Sequence, residues 1–337
     1  MDKHERPYVG AAQYMIFRAL LLASLICTAP AAFAAEAWPD TEPLRFEAGS
    51  AVGGILDLVL RVLSPYLTES LGVPVVIENR PGGGGNIAAA FVAHAKPNGH
   101  TLLITGSNQV VNPTLLPNLG FDYERDFTPV SMLLLPKMLL VAAPAFPAKT
   151  ITDVIEMAKQ KPNSVSIAIS PIGTPNHLGA EMLAQYGKID LTIVPYDGIA
   201  QSIPDLIANR VDLAVGTMSS LLPQVGSGAL KALAVLSAQR SPLAPDIPTS
   251  AESGLPEMQI EGWICILTTG GTPAPIIARL DGEFAKVLSV LAVRDAFAKR
   301  GIEVFYMNSE KLGRFMKSEA ARYSSLLEHS RVVKPPQ

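Results

Sequence analysis

The chain has 337 residues, a formal net charge of -3, and 48% hydrophobic against 17% charged residues, which excludes a disordered chain and leaves apolar material for more than one core. That balance supplies no basic field, and no Lys/Arg cluster occurs along the chain, so nucleic acid is not an expected partner. Residues 1–34 read as an export signal: Lys3, Arg6 and Arg18 are its positive region, Ala19 to Cys27 its apolar run, and Ala32-Phe33-Ala34 its cleavage site. Met15, just before the apolar run, is an alternative start, and Ile26 is too bulky for lipidation at Cys27. After cleavage Cys265 is the single cysteine; its apolar neighbours mark a buried hydrophobe rather than a nucleophile.

From Leu44 onward, short β-rich runs alternate with helical periods, the pattern of α/β folds with largely parallel sheets. Arg45 to Ala48 is a predicted strand and Gly49 to Gly54 a loop; Leu56, Val59, Leu60, Leu63 and Leu67 then recur at helical spacing up to a stop at Gly72 and Pro74. Strand Val75 to Glu78, the glycines Gly82 to Gly85, a helix Asn86 to Ala95 and strand Thr101 to Thr105 complete a βαβαβ unit. The apolar stretch Val130 to Ala148 is broken by Pro136, Lys137, Pro144 and Pro147, so it reads as two buried strands and not as a membrane span. A second series follows, with Thr150 and Asp153 capping a helix to Lys161. Strand Val165 to Ser170, helix His177 to Tyr186, strand Leu191 to Val194, helix Ala200 to Ala208, and strands Val211 to Val215 and Lys231 to Leu236 continue it. The Pro-rich run Ser241 to Thr249 is expected to cross between units or act as a hinge. Strand Trp263 to Thr268, helix Pro275 to Leu291, a short helix ending at Gly301, strand Ile302 to Phe305 and a helix N-capped by Ser309 close the chain.

In open α/β sheets ligands bind beyond the carboxyl ends of strands, where helix N-termini present unpaired N–H groups. Gly49 to Gly54, Pro81 to Asn86 and Ser170 to Asn176 are loops of that kind. A helix start favours an anion by about 0.3 to 1 kcal/mol, up to ~2 when partly buried, so two facing starts can hold a carboxylate without a basic side chain. The glycine loops read equally well as plain turns; neither phosphate-loop nor GxGxxG spacing is present, which disfavours nucleotides. Asp57 in a first helical turn stabilises the helix dipole or, alternatively, pairs with an amine on the ligand. With no GxSxG, HExxH or paired cysteines, and with five scattered histidines of which only His177 stands beside a candidate loop, no nucleophile, metal site or cofactor is expected.

The run Val75-Val-Ile-Glu-Asn-Arg-Pro-Gly-Gly-Gly-Gly-Asn-Ile87, with Asp126 to Ser131, Gly173-Thr174, His177-Leu178, Glu181, Val194-Pro-Tyr196, Pro245 to Thr249 and Gly271-Thr-Pro273, resembles the substrate-binding proteins of tripartite tricarboxylate transporters, the Bug family. The resemblance implies an α/β, type II periplasmic binding protein: a two-lobe Venus flytrap with a mixed, largely parallel sheet in each lobe. Lobe 1 would span residues 35–138 and 250–337, and lobe 2 residues 139–249. It further implies a small carboxylate, whether organic acid, aromatic acid or amino acid, held in the cleft by backbone amides and waters. Carried over by position, Ser50, Ala51, Val52, Gly53, Gly54 and Asp57 face Ser170, Ile172, Gly173, Thr174, His177, Tyr196 and Asp197, while Gly82 to Asn86 become structural or at most peripheral to the cleft. Delivery by a monomer to the membrane subunits of a tripartite transporter follows; the alternatives are a sensory module and an enzyme using His177 or Asp57 as base. Ser50 replaces an aromatic residue of the family and Asp197 a basic one. Both departures point away from citrate, toward a monocarboxylate, an aromatic acid or an amino-bearing acid.

Overall fold

A computed structural model describes residues 38–116, 119–170 and 172–328; the export signal expected at residues 1–34 lies outside them. The described residues divide into two units, one ending at Asp40 and the other beginning at Thr41. Residues 38–40 of the first form a bend with a cis Trp38–Pro39 peptide. The second contains all the described strands and helices.

It begins with β1 (Leu44–Ala48), α1 (Ile55–Leu71), β2 (Val75–Asn79), α2 (Asn86–Ala93), β3 (Thr101–Gly106), α3 (Asn108–Leu115) and β4 (Phe127–Leu134). Next come β5 (Met138–Ala142), α4 (Ile151–Gln160), β6 (Ser166–Ile169), α5 (Pro175–Gly187), β7 (Thr192–Pro195), α6 (Ile199–Ile207), β8 (Leu213–Thr217), α7 (Met218–Gly226) and β9 (Lys231–Val235). The chain returns through β10 (Ile264–Thr269), α8 (Ala274–Ser289), α9 (Leu291–Ala298), β11 (Val304–Asn308) and α10 (Ser309–Glu328). The strands form two mixed sheets, β11-β4-β10-β3-β1-β2 and β7-β6-β8-β5-β9.

Local sequence accounts for most of these elements. In α1 the helical recurrence puts Val59, Leu60, Leu63, Leu67 and Leu71 inside, each worth roughly 1.5–3 kcal/mol relative to exposure. Gly72, at φ 73°, ends the helix with its amide on the Thr68 carbonyl. Along β5, Met138, Leu140 and Ala142 enter one core while Leu139 and Val141 enter another. A strand buried on both faces reads as an unbroken apolar run, and the two strands predicted between Val130 and Ala148 are β4 and β5. Thr150 and Asp153 make the full capping box of α4. Cys265 is buried in β10, and burial pushes its thiol pKa up, which keeps it protonated.

Three features differ from expectation. Helices α3 and α7 have no counterpart in the predicted elements; each contains a proline, Pro113 or Pro223, which masks a helix in sequence. At the start of α10 the cap is Asn308, whose Oδ1 accepts the Lys311 amide at 3.1 Å, because the Ser309 hydroxyl donates to the Pro129 carbonyl at 2.7 Å instead. The segment 241–249 does not cross between sheets but folds back onto β9, where Thr249 bridges Val235. The chain leaves the first sheet at Leu135 to Lys137 and comes back at Glu261 and Gly262. There Lys137 pairs with Glu261 and the Gly262 amide bonds the Pro136 carbonyl at 2.9 Å.

Topology places the site. β1, β2 and β3 are parallel in the order β3-β1-β2, and β6, β7 and β8 are parallel in the order β8-β6-β7. The same doubly wound unit therefore occurs twice, and strand order reverses between β1 and β3 in one sheet and between β6 and β8 in the other. A crevice opens outside the carboxyl ends of strands at such a reversal.

Candidate functional site

Four loops leave the carboxyl ends of β1, β3, β6 and β8. Gly173, after β6, joins the two sets: a β-carbon there would lie 3.1 Å from Leu115 Cδ1, 3.4 Å from Val111 Cγ1 and 3.5 Å from Asn112 Oδ1. The loop after β6 thus rests on α3, which follows β3, and the carboxyl ends of the two sheets face each other. Gly173 also holds φ 85°, a left-handed conformation that a β-carbon opposes.

The helices leaving these loops, α1, α3, α5 and α7, have Gly54, Ser107, Thr174 and Thr217 at their N-caps, and none receives a side-chain cap. α4 starts at the far end of its sheet, because β5 is antiparallel to β8, and there the capping box is complete. α10 likewise follows an antiparallel strand and is capped by Asn308; α8, led by Pro273, is an uncapped exception at that end. First-turn amides without a capping side chain are donors for an external acceptor, and the helix dipole favours that acceptor being an anion. No Lys or Arg occurs in residues 49–56, 107–112, 172–177 or 217–221, so the main chain supplies the positive potential.

In the loop after β1, the Ser50 carbonyl accepts Asn79 Nδ2 at 3.1 Å, and Ser50 Oγ is buried with no hydrogen-bond partner. Ala51 and Val52 are exposed, Val52 at 71%. Gly53, at φ 82°, turns its amide onto Asp57 Oδ2 at 2.9 Å, and the Gly54 amide closes on the Ala51 carbonyl at 3.0 Å. Asp57 is buried and gripped by both arms of Arg61, at 2.8 and 3.0 Å. It is thus engaged inside its own loop, and so is the Gly53 amide. The Arg61 hydrogen bonds are the main reason its pKa lies below the usual 3.8. A depressed carboxylate contributes stability that is complete above the usual value and is lost as pH falls through the folded one. Hydrogen exchange should therefore show the Gly53 amide keeping its protection at and above the usual 3.8 and losing it as pH falls through the lower folded value, and Asp57→Asn should abolish that pH dependence; a Gly53 amide unprotected at neutral pH would refute the clamp.

In the loop after β6, Ser170 and Gly173 are buried and Ile172 is 52% exposed. The Gly173 amide donates to His177 Nδ1 at 3.3 Å, and the Thr174 carbonyl accepts the Leu178 amide at 3.0 Å. His177 is closed to solvent, its Nε2 lying 3.6 Å from Glu181 Oε1. Tyr196 and Asp197 follow β7, an outer strand, rather than the reversal point. The Tyr196 hydroxyl donates to Asp205 Oδ2 at 2.8 Å, and burial together with that carboxylate pushes its pKa up to about 12. Asp197 is exposed.

The residues not anticipated lie after β3 and β8. Gln109, on α3, is 1% exposed, and its Oε1 is buried without a partner. Asn112 Nδ2 donates to Asn86 Oδ1 at 2.9 Å, and Asn108 Nδ2 to the Gly84 carbonyl. Thr217 Oγ1 is 2.9 Å from both Ser219 Oγ and Ser220 Oγ. Both preceding strands were predictable; the strand order that selects the loops after them was not. The Gly82 to Gly85 run, with φ values of 123°, 57°, 64° and 93°, packs behind the loop after β1, where a β-carbon on Gly49 would lie 2.6 Å from Gly85 Cα.

The sequence matches the tripartite tricarboxylate transporter family receptor over residues 59–332. It is 33% identical over 299 residues, 88% of each chain, to the "UPF0065 protein in tcbD-tcbE intergenic region" of Pseudomonas sp. strain P51. The periplasmic binding protein BugD superposes with a TM-score of 0.75 at 30% identity, over 86% of this chain and 97% of its own. An R. palustris protein with adipate gives 0.77 at 29% identity, over 86% and 97%. The fold is accordingly the two-lobe, type II fold of periplasmic binding proteins.

Proposed function

The chain belongs to the tripartite tricarboxylate transporter receptor family, and from that membership we propose that it is an exported, periplasmic solute-binding protein for a small monocarboxylate. Each sheet with its helices is one lobe; the lobe boundaries expected near 138/139 and 249/250 shift to the crossings at Leu135 to Lys137 and Glu261 to Gly262. The acid enters between the lobes, they close about these two strands, and the membrane subunits of a transporter recognise the closed form. No chemistry is performed on the ligand.

The observation that carries this reading is the set of uncapped helix starts at two facing strand reversals, in loops without Lys or Arg. Such donors suit one carboxylate. A second buried carboxylate would lack a counter-charge, a penalty of several kcal/mol. Val52 and Ile172, exposed on opposing loops, offer apolar contact to the rest of the ligand, and the unpartnered Ser50 Oγ and Gln109 Oε1 offer it a donor and an acceptor. The two groups an enzyme would use as base, Asp57 and His177, are both sealed in internal hydrogen bonds, which disfavours catalysis.

The test is a thermal-shift panel on the mature chain with acetate, benzoate, alanine, malate, adipate and citrate. At a hundredfold Kd a ligand adds about 2.7 kcal/mol, so at least one of the first three should raise the melting temperature while citrate stays silent. Stabilisation by citrate or adipate with none from a monocarboxylate would overturn the ligand class, and turnover of a bound acid would overturn the binding role.

A further inference from the structure

His177 is closed to solvent and makes two directed contacts. On one side its Nδ1 accepts the Gly173 amide at 3.3 Å. An imidazole nitrogen that accepts a hydrogen bond carries no proton, so this contact requires a neutral ring with its hydrogen on Nε2. On the other side Nε2 faces Glu181 Oε1, one helical turn on along α5, at 3.6 Å; neither atom has another partner. A carboxylate in that position favours the Nε2–H tautomer, the one the Gly173 contact needs.

Gly173 is also the residue by which the loop after β6 touches α3 of the other lobe. Its peptide is thus held from behind by the imidazole and from in front by Val111, Asn112 and Leu115. We propose that His177 is a positioning residue for the cleft: its neutral ring, oriented by Glu181, fixes the Gly173 peptide in the shape that lets the α5 start face α3. This rests on the carboxylate-binding reading only for its effect on affinity.

Glu181 is the one described acidic side chain within salt-bridge reach of the ring. β8 packs Val215 against this part of α5, and α3 contributes no ionisable side chain.

The replacement His177→Asn tests the role, since Asn Oδ1 sits on Cγ as Nδ1 does, keeping an acceptor that does not titrate. In the ligand-free mature chain, ¹⁵N spectra of the ring should show the Nε2–H tautomer, and hydrogen exchange should find the Gly173 amide protected. His177→Asn should keep that protection, whereas His177→Leu, which has no acceptor, should lose it. An Nδ1–H tautomer, or a Gly173 amide equally protected in His177→Leu, would overturn the proposal. With the same six-acid panel, His177→Leu should bind at least about tenfold more weakly than the wild type and His177→Asn within about threefold of it. An equal loss of affinity in both variants would overturn the positioning role. Absence of binding by every acid, with the ring and amide behaving as stated, would count against the carboxylate reading while upholding the contact.

Discussion

Replacing Arg80 with alanine is expected to cost the fold about 3 kcal/mol at neutral pH, measured as a drop in the urea midpoint. Glu47 lies on β1, beside the edge strand β2, with no exposure, its Oε2 2.5 Å from Arg80 Nε, while the other arm of the guanidinium reaches Glu78 Oε2 at 2.6 Å. Burial is the main cause raising the Glu47 pKa above 4.5, and Arg80 opposes it. Without the arginine an uncompensated carboxylate is left in the core, a loss of about 3–5 kcal/mol where such pairs are broken. The sign with pH follows. A carboxyl whose pKa is raised by folding penalises the native state as it ionises, so the deficit of Arg80→Ala should be greatest at neutral pH and shrink as pH falls toward 4.5 and below, where Glu47 is protonated in both states. Adding Glu47→Gln to Arg80→Ala should recover much of the loss. A deficit below about 1 kcal/mol, or one independent of pH, would mean that the pair behaves as a surface ion pair.

Gly49→Ala is expected to destabilise the chain by about 2–3 kcal/mol, at the upper end of overpacking costs, and to erase ligand-induced stabilisation. A β-carbon on Gly49 meets backbone, 2.6 Å from Gly85 Cα and 3.2 Å from its carbonyl oxygen, so no side-chain rotation relieves it. Either the loop after β1 or the glycine run must move, and the first carries Ser50 to Gly54. Gly282→Ala in α8 is the control: nothing lies within 4 Å of its β-carbon position, and the change should stabilise by about 0.4–1 kcal/mol. An intact response of Gly49→Ala to an acid that stabilises the wild type would show that the packing of the two loops is not required for binding.

Both substitutions explain the conspicuous run Glu78 to Gly85. Asn79 pins the Ser50 carbonyl, Arg80 neutralises Glu47 and stacks 4.0 Å over the Phe91 ring, and Gly85 packs behind Gly49. In each of these contacts the run supports the neighbouring loop after β1.

What the sequence determined by itself was whatever depends on near neighbours along the chain. The leucine spacing of α1, the Thr150–Asp153 box, the two-faced apolar run of β5 and the glycine stop at Gly72 are all contained within a few residues. The tertiary structure decided the rest. It formed α3 and α7, whose prolines and weak propensity are overridden by packing, and it moved the crossing from the Pro-rich segment to Lys137 and Glu261. It also decided which polar groups were already satisfied: Gly53 by Asp57, Asp57 by Arg61, Gly173 by His177 and Tyr196 by Asp205. These partners are close in sequence, yet nothing local dictates that their side chains turn inward. That choice follows from the strand order, which determines the loops that face each other and so the amides that face the cleft.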